Sequence, residues 1–560
     1  MAWFVVLLTA AAILLVCATL FSTGSRLLYN YWAARSMGVP IRIIPISPLN
    51  SFWVLLDRKV LSIIRRLPFG DNSFTRYNWR GWEVKDRYRS HSEMGDIWVL
   101  VTPFKNWVYI NDPQALMSIF RRATDFPRPV FINEILNVFG PNISSAEGER
   151  WKTQRRIATR CFNEQNNTIV WSEAISLAND MLRYWTRKSS VTSSADDLRT
   201  LSLHVLSRAG FGKSFKFVGH DERQPSSPSS SYKESLQTVL ENLVLILGLG
   251  TKFLANPWLP RKLRTVHEAC VSFQKYMTSL YEEEKQAFAK GEVRDHNLMT
   301  SLVRASHDEA KTSGGLTESE IYGNMFTFNF AGHDTTAHTF TFALYFLAAH
   351  PEVQDWLSEE IRTVSGGRSP SEYDYRADFP RFKRCLSVMY ETIRLYTVVP
   401  PIKWTASQSQ SVTVGNKTVV IPPESMVAPS YGSVHTDPRF WGPDSLAWKP
   451  SRWIKPTAGS DANSVSKPGE EDFNMPIRGA FIGWSEGIRD CPGRKFSQVE
   501  FVATMVSLFL DWRVDPVVAK DETLEIARQR VEDLIKTDSG FVLLLQMLHP
   551  ERAPLVWKRR

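Results

Sequence analysis

The chain has 560 residues, 43% of them hydrophobic and 12% aromatic, enough to bury a large core. Its formal net charge is +9, but the basic residues are dispersed with no long Lys/Arg tract, which argues against nucleic acid as a partner. The five cysteines, Cys17, Cys161, Cys270, Cys385 and Cys491, are scattered and show no CxxC spacing. That excludes a disulfide framework and a cysteine-type zinc site, and it fits a reducing compartment.

Ala2 to Phe21 carries no charge, and about twenty apolar residues suffice to span a bilayer as a helix. No basic segment precedes the run, as a cleaved signal would require, whereas Arg26, Arg35, Arg42, Arg58 and Lys59 follow it. Residues 1–22 are therefore expected to be a transmembrane anchor, with the body on the cytosolic side. Residues 23–60, with Pro40, Pro45 and Pro48, read as a basic, Pro-rich connector, and residues 61–560 as one large domain.

Trp98 to Ile110 has a strand-like pattern around a turn at Pro103, and Asp112-Pro113 opens a short helix. The loop-rich stretch 126–148 is unusually apolar, so it packs on a core or lines a pocket. Gly148 begins a helix on which Trp151 and Arg155 are four residues apart and share a face. Residues 219–231 and 457–472 are polar and Ser- or Pro-rich and read as flexible inserts. Gly248-Leu249-Gly250 lacks the third glycine of a dinucleotide fingerprint, so no nucleotide domain is expected.

Thr317 and Glu320 are spaced as a capping box, and helix-compatible residues continue to His350, about 33 residues or roughly 50 Å. Its middle reads Ala331-Gly332-His333-Asp334-Thr335-Thr336. Gly332 is costly in a helix interior, and Thr335 can bond back to a carbonyl four residues earlier. That predicts a local groove with an acid and a hydroxyl able to pass protons. Glu391 and Arg394 form an i, i+3 pair on an amphipathic helix.

Trp484 to Gly493 (WSEGIRDCPG) places Cys491 just before an amphipathic helix, with Pro492 suited to its first turn. The positive helix end favours a thiolate, Gly487 allows an unusual backbone, and Gly493 allows close approach of a flat group. A lone cysteine of this kind is usually structural, but a cysteine thiolate is also an axial ligand of haem iron. The stretch resembles the haem-ligand loop of the cytochrome P450 family, with Trp484 where that family usually has Phe.

The resemblance extends over nearly the whole chain through five segments in family order, including the Trp151/Arg155 pair, the Asp334-Thr335 segment and the Glu391/Arg394 pair. It implies a mainly α fold with a smaller β region behind one membrane helix. It implies haem b held by Cys491, with Trp484, Arg489 and Gly493 completing the cofactor loop and Trp151, Arg155 and His435 on the propionates. Asp334 and Thr335 would deliver protons, and Glu391, Arg394 and Arg452 would form a structural triad. Helical counting and family placement bring Asn324, Thr327, Phe328, Ala331, Val398 and Val399 to a substrate pocket suited to a mid-sized, largely apolar molecule.

The implied reaction uses O2 and two electrons from NADPH through a separate flavoprotein reductase, docked on cations such as Lys152, Arg156, Arg160 and Lys495. The length and Ser-rich inserts resemble fungal members of secondary metabolism, and the expected setting is a monomer in the endoplasmic reticulum membrane, facing the cytosol. Two rival readings are a haem-thiolate isomerase or dehydratase and a non-catalytic haem protein.

Overall fold

The computed structural model describes residues 2–222, 228–292, 297–309, 315–456, 467–469 and 471–560. The chain divides into two compact units, Met1–Pro129 with Pro400–Ala447 and Pro476–Asp490, and Val130–Val399 with Trp448–Met475 and Cys491–Arg560.

The first unit begins with helix α1 (Ala2–Arg35), then strand β1 (Ile41–Ile43), helix α2 (Ser51–Ile64), strands β2 (Ile97–Val101) and β3 (Asn106–Ile110), and helix α3 (Pro113–Arg121). Two later strands, β4 (Lys403–Trp404) and β5 (Met426–Pro429), complete a five-stranded sheet of order β1-β2-β3-β5-β4. The β1–β2 and β3–β5 pairs are parallel, and β2–β3 and β5–β4 are antiparallel. Every residue of β2 and β3 is buried, and Trp98 stacks on Tyr109 at 4.7 Å. Runs this continuously apolar belong to strands covered on both faces. Asp112 caps α3, accepting from the Ala115 N–H at 2.8 Å.

Helix α1 corrects the connector reading. Residues 23–35 continue the helix, residues 41–43 join the sheet, and α2 occupies most of 51–64. Gly24 is tolerated inside the helix, which ends shortly before Gly38, at φ +63°, and Pro40. The segment Thr9–Arg35 is long and apolar enough to cross a membrane.

The second unit is mostly helical. Its main elements are α4 (Gly148–Thr159), α5 (Glu164–Trp185), α6 (Ser194–Phe211), α7 (Glu318–Ala349), α8 (Lys383–Leu395) and α9 (Arg494–Phe509). The expected capping box is present on α7: the Glu320 N–H reaches Thr317 Oγ1, and the Thr317 N–H donates to Glu320 Oε2. α7 is buried along nearly its whole length and packs on α6, α8 and α9. A Cβ at Gly323 would lie 2.3 Å from the Gly140 carbonyl oxygen, so the glycine lets the 140–141 turn seat on the helix. At Gly332 a Cβ would lie 2.9 Å from the end of the Leu206 side chain of α6, a milder contact that a shift of the leucine relieves.

Of the expected inserts, residues 228–231 already belong to the helix Pro228–Glu241, and Asp472 pairs with Lys455 in a short ladder. Residues 219–222, 467–469 and 471 are described as well, and 223–227, 457–466 and 470 lie outside the described residues.

Candidate functional site

In the first unit the loop Pro476–Asp490 is shaped by close backbone contacts. Gly487 has φ +76°, and a Cβ there would meet the Phe120 carbonyl of α3 at 2.4 Å. Only glycine satisfies both conditions. Ser485 also adopts a left-handed conformation, φ +61°, which a non-glycine residue accepts at some cost. Trp484 is buried and meets Phe481 edge-on at 5.9 Å.

His435 packs against this loop. It is fully buried, stacks on Phe481 at 5.2 Å, and its Nε2 accepts the Ile482 N–H at 2.9 Å. That nitrogen has no proton to offer a carboxylate. His435 clamps the loop from behind through this nitrogen, which leaves any donor role to Nδ1.

Arg489 is buried and belongs to a cationic cluster that sequence reasoning missed. Its carbonyl accepts from the Arg128 guanidinium at 2.6 Å, and Lys403, 2% exposed, lies against Phe120 with its ammonium 5.5 Å from the ring centroid. Burial, then the charges of Arg128 and Arg489, push the Lys403 ammonium down to about 7. Mutual repulsion among three cations is relieved by an anion seated among them. Each residue alone looks like an ordinary surface cation; only the fold gathers positions 128, 403 and 489.

In the second unit Cys491 leads into α9 through Pro492 and Gly493. Cys161, Cys270 and Cys385 are buried, and burial pushes their thiols up, to about 12 for Cys161, to about 11 for Cys270 and well above the usual range for Cys385. Cys491 is exposed and stands at a positive helix end, so it is the cysteine of this unit suited to act as a thiolate ligand. Gly493 has an ordinary φ of −86°, and a Cβ there would make only van der Waals contacts, 3.7 Å to Phe162 and 3.9 Å to Cys491 Sγ. The protein's own atoms do not require glycine at 493.

α9 is fixed by α8: the Tyr390 hydroxyl accepts from Gln498 at 3.0 Å and from Arg494 at 3.3 Å. Glu391 of α8 is fully buried. It accepts from Arg394 Nε at 2.7 Å and Nη2 at 2.8 Å, Arg452 Nε at 2.9 Å, the Lys449 N–H at 2.8 Å and the Trp453 indole at 2.9 Å. The expected triad is thus present, with two further donors. Burial alone would raise the Glu391 carboxyl; Arg394 and Arg452 outweigh it and hold the group below its ordinary value.

On α4, Trp151 is buried and Arg155 half-buried, while Lys152, Arg156 and Arg160 are exposed. Lys495 is also exposed, its ammonium 4.0 Å from the Phe379 ring centroid.

α7 separates two neighbours. The Thr335 hydroxyl donates to the Ala331 carbonyl at 2.8 Å, and Ala331 is exposed. Asp334 is buried and turns to α6, where Arg199 Nε lies 3.1 Å away; His338 Nε2 is 3.5 Å from the same oxygen. Burial would raise the Asp334 carboxyl, but His338 and then Arg199 outweigh it and hold the group far below the usual range. His333 is buried with its Nδ1 on the Asn329 carbonyl, so no ligand role falls to it.

The pocket assignments divide. Thr327 is buried with no hydrogen-bond partner for its hydroxyl among the described residues, and Phe328 packs near Phe162 at 6.1 Å. Val398 is buried and its carbonyl accepts the Leu545 N–H at 3.1 Å, while Val399 is half-exposed. Asn324 does not fit a pocket role. Its amide donates to Gln154 at 3.1 Å and to the Glu320 carbonyl at 2.8 Å, and its oxygen accepts the Ile143 N–H at 3.0 Å. It ties α7 to α4 and to the loop before it, a correction that follows from its complete hydrogen bonding.

The residues of the second unit suit a haem: an exposed thiol at a helix start, with Trp151 and the half-buried Arg155 able to take a carboxylate. The family model described as cytochrome P450 matches residues 80–543. A cytochrome P450 monooxygenase of Arthrobotrys oligospora is 28% identical, over 94% of each chain. One from Postia placenta is 31% identical over 80% of this chain and 83% of its own, and the phomenoic acid biosynthesis cluster cytochrome P450 monooxygenase of Leptosphaeria maculans is 29% identical over 89% and 90%. A crystal structure of a cytochrome P450 shares the fold, with TM-score 0.63 and 18% identity over 84% of this chain and 97% of that one. With a family model covering most of its length and relatives aligned nearly end to end, this chain belongs to the cytochrome P450 family.

Proposed function

We propose that this monooxygenase inserts one atom of O2 into a mid-sized, largely apolar organic molecule, with electrons supplied by NADPH through a separate flavoprotein reductase. The observation that carries the reading is Cys491, the exposed cysteine at the head of a helix locked to the Glu391 triad's helix. Haem bound through this sulfur would supply iron with an electron-donating ligand that favours O–O cleavage. In the second unit Cys491 would hold the iron and Trp151 and Arg155 would take a carboxylate. In the first unit Arg128, Lys403 and Arg489 form a cationic cluster suited to an anion.

Thr335 and Asp334 handle protons. The Thr335 hydroxyl is spent on Ala331 at rest, and releasing that bond costs about 1 kcal/mol, a small barrier to presenting its proton. Asp334 recharges it only after loosening from Arg199, so the ion pair keeps the acid out of play until needed. Thr327, Phe328, Ala331, Val398 and Val399 give an apolar surface with one free hydroxyl, suited to a substrate with few oxygen functions. The relative named for phomenoic acid biosynthesis supports a place in secondary metabolism. Anchoring by α1 in the endoplasmic reticulum, body toward the cytosol, completes the reading.

The test is product analysis after feeding candidate metabolites to cells that express the chain with a reductase. New oxygenated product must need NADPH and O2 and carry label from 18O2. Product formed without either would favour an isomerase or dehydratase instead.

A further inference from the structure

The second unit ends in a cluster of charges that the haem chemistry does not use. Strand β6 (Trp512–Pro516) follows α9, helix α10 (Leu524–Thr537) comes next, and the chain closes with strand β7 (Leu555–Arg559), antiparallel to β6. Arg513 and Asp515 are two apart on β6 and share a face, and the register sets Lys558 directly opposite Arg513. Like charges directly opposite on a sheet are unfavourable. A third cation, Arg528 of α10, converges on the same place.

One carboxylate holds all three. Asp515 Oδ1 accepts from Arg513 Nη2 at 3.1 Å and from Arg528 Nη2 at 3.2 Å, and Oδ2 accepts from Lys558 Nζ at 3.2 Å. Burial would raise the Asp515 carboxyl, but Arg513, then Lys558 and Arg528, outweigh it and hold the group below its ordinary value. Asp515 thus brings one full negative charge against three positive ones. Among the described residues no other acid lies within ion-pair distance of these cations. The Nε donors of Arg513 and Arg528 are buried with no acceptor among the described residues, so Asp515 does not saturate the two guanidinium groups. Other cations close by are already spent, Arg530 on Glu522 and Arg560 on Asp355. Asp515 lies at the bottom, its side chain 2% exposed, whereas Arg513 is 33% and Lys558 53% exposed. An ion arriving from solvent therefore meets the cations before the carboxylate. Two guanidinium forks, an ammonium and two uncompensated charges match a phosphoryl dianion, whose oxygens can accept from each. A chloride or a carboxylate would neutralise only half of the excess.

We propose that Arg513, Arg528 and Lys558 form a binding site for a phosphoryl dianion, seated over Asp515, either as free phosphate or as the monoester of a small metabolite. The bound group relieves the repulsion between Arg513 and Lys558. It also ties the last strand to α10, which packs on α7.

Thermal melts of the full-length protein test this, in inorganic phosphate, in ribose 5-phosphate and in sodium chloride, all at one ionic strength and at pH about 8, where a phosphate monoester is a dianion. Phosphate should raise the melting temperature saturably above the chloride value, as a ligand of the folded state does. A shift with ribose 5-phosphate alone would assign the site to a carried phosphoryl group, and one with inorganic phosphate alone to the free ion. Lys558→Gln changes an exposed side chain and should weaken the apparent affinity by about tenfold, the loss of one charged hydrogen bond. Arg528→Gln should weaken it at least as much. Arg559→Gln, an exposed neighbour on the opposite face of β7, should leave it unchanged. Each variant's melt in chloride serves as its own baseline, so a change in fold is read apart from a loss of binding. No shift beyond chloride in the wild type would overturn the site and leave Asp515 as a structural hub. A shift that both Lys558→Gln and Arg528→Gln keep would place the phosphate elsewhere and overturn it equally.

Discussion

The Asp334 carboxylate lies 3.1 Å from Arg199 of α6, turned away from the hydroxyl of its neighbour Thr335, which bonds to Ala331. Adjacent residues on a helix point about 100° apart, so one can meet a neighbouring helix while the other faces an open side. Removing either member should have separable effects. Thr335→Ala should still bind substrate and accept electrons but lower the ratio of product to NADPH consumed by about tenfold or more, with hydrogen peroxide released. Arg199→Ala should free Asp334 and raise its carboxyl toward the ordinary range, so the acidic limb of the turnover profile moves to higher pH. An unchanged coupling ratio in Thr335→Ala, or an unmoved acidic limb in Arg199→Ala, would contradict these roles.

Glu391 satisfies two arginines while itself completely buried. Glu391→Gln leaves Arg394 buried without its counter-charge, a change that costs roughly 3–5 kcal/mol. Denaturant titration should show a loss of that order, with little haem retained per chain. A loss below about 1 kcal/mol would mean that the triad is structurally idle.

Glu500 of α9 is completely buried; neither carboxylate oxygen has a hydrogen bond of good geometry among the described residues, and the Ser202 hydroxyl only partly offsets its burial. Burial pushes its carboxyl from 4.5 up to about 8. The folded state therefore keeps a proton that the unfolded chain loses above pH 4.5, and stability falls as pH rises from there to about 8. Glu500→Gln cannot ionise. Its advantage in melting temperature should grow over that window, by at most roughly 1.4 kcal/mol per pH unit, and level off above it. A constant difference across the window would refute the buried-acid account.

Asn142, Asn166 and Asn416 each open an Asn-x-Ser/Thr sequon, but Asn142 and Asn166 are buried, so bare side chains there say nothing about topology. Asn416, exposed in the turn between Val414 and Lys417, is the informative one. A cytosolic body leaves it unglycosylated after expression in a eukaryotic host. A glycan on Asn416 would place the body in the lumen.

Local spacing made the main parts legible. The capping box at Thr317, the cysteine loop and the Glu391/Arg394 pair are short-range patterns whose geometry follows from helix periodicity. Direction was less legible. His435 and Asn324 have residue types suited to a site, yet one spends its Nε2 on the Ile482 N–H and the other is turned to packing, bonding Ile143 and Gln154. The Arg128/Lys403/Arg489 cluster was out of reach because its members are far apart in the chain and only the tertiary fold joins them.

The most direct test is the spectrum of the reduced, CO-bound protein with and without Cys491. The wild type should show the red-shifted Soret band of a thiolate-ligated haem, and Cys491→Ala and Cys491→His should lose it, with Cys491→His shifted to the position of an imidazole-ligated haem. A red-shifted band that persists in Cys491→Ala, or a haem-bound wild type without it, would contradict the assignment of Cys491 as the iron ligand.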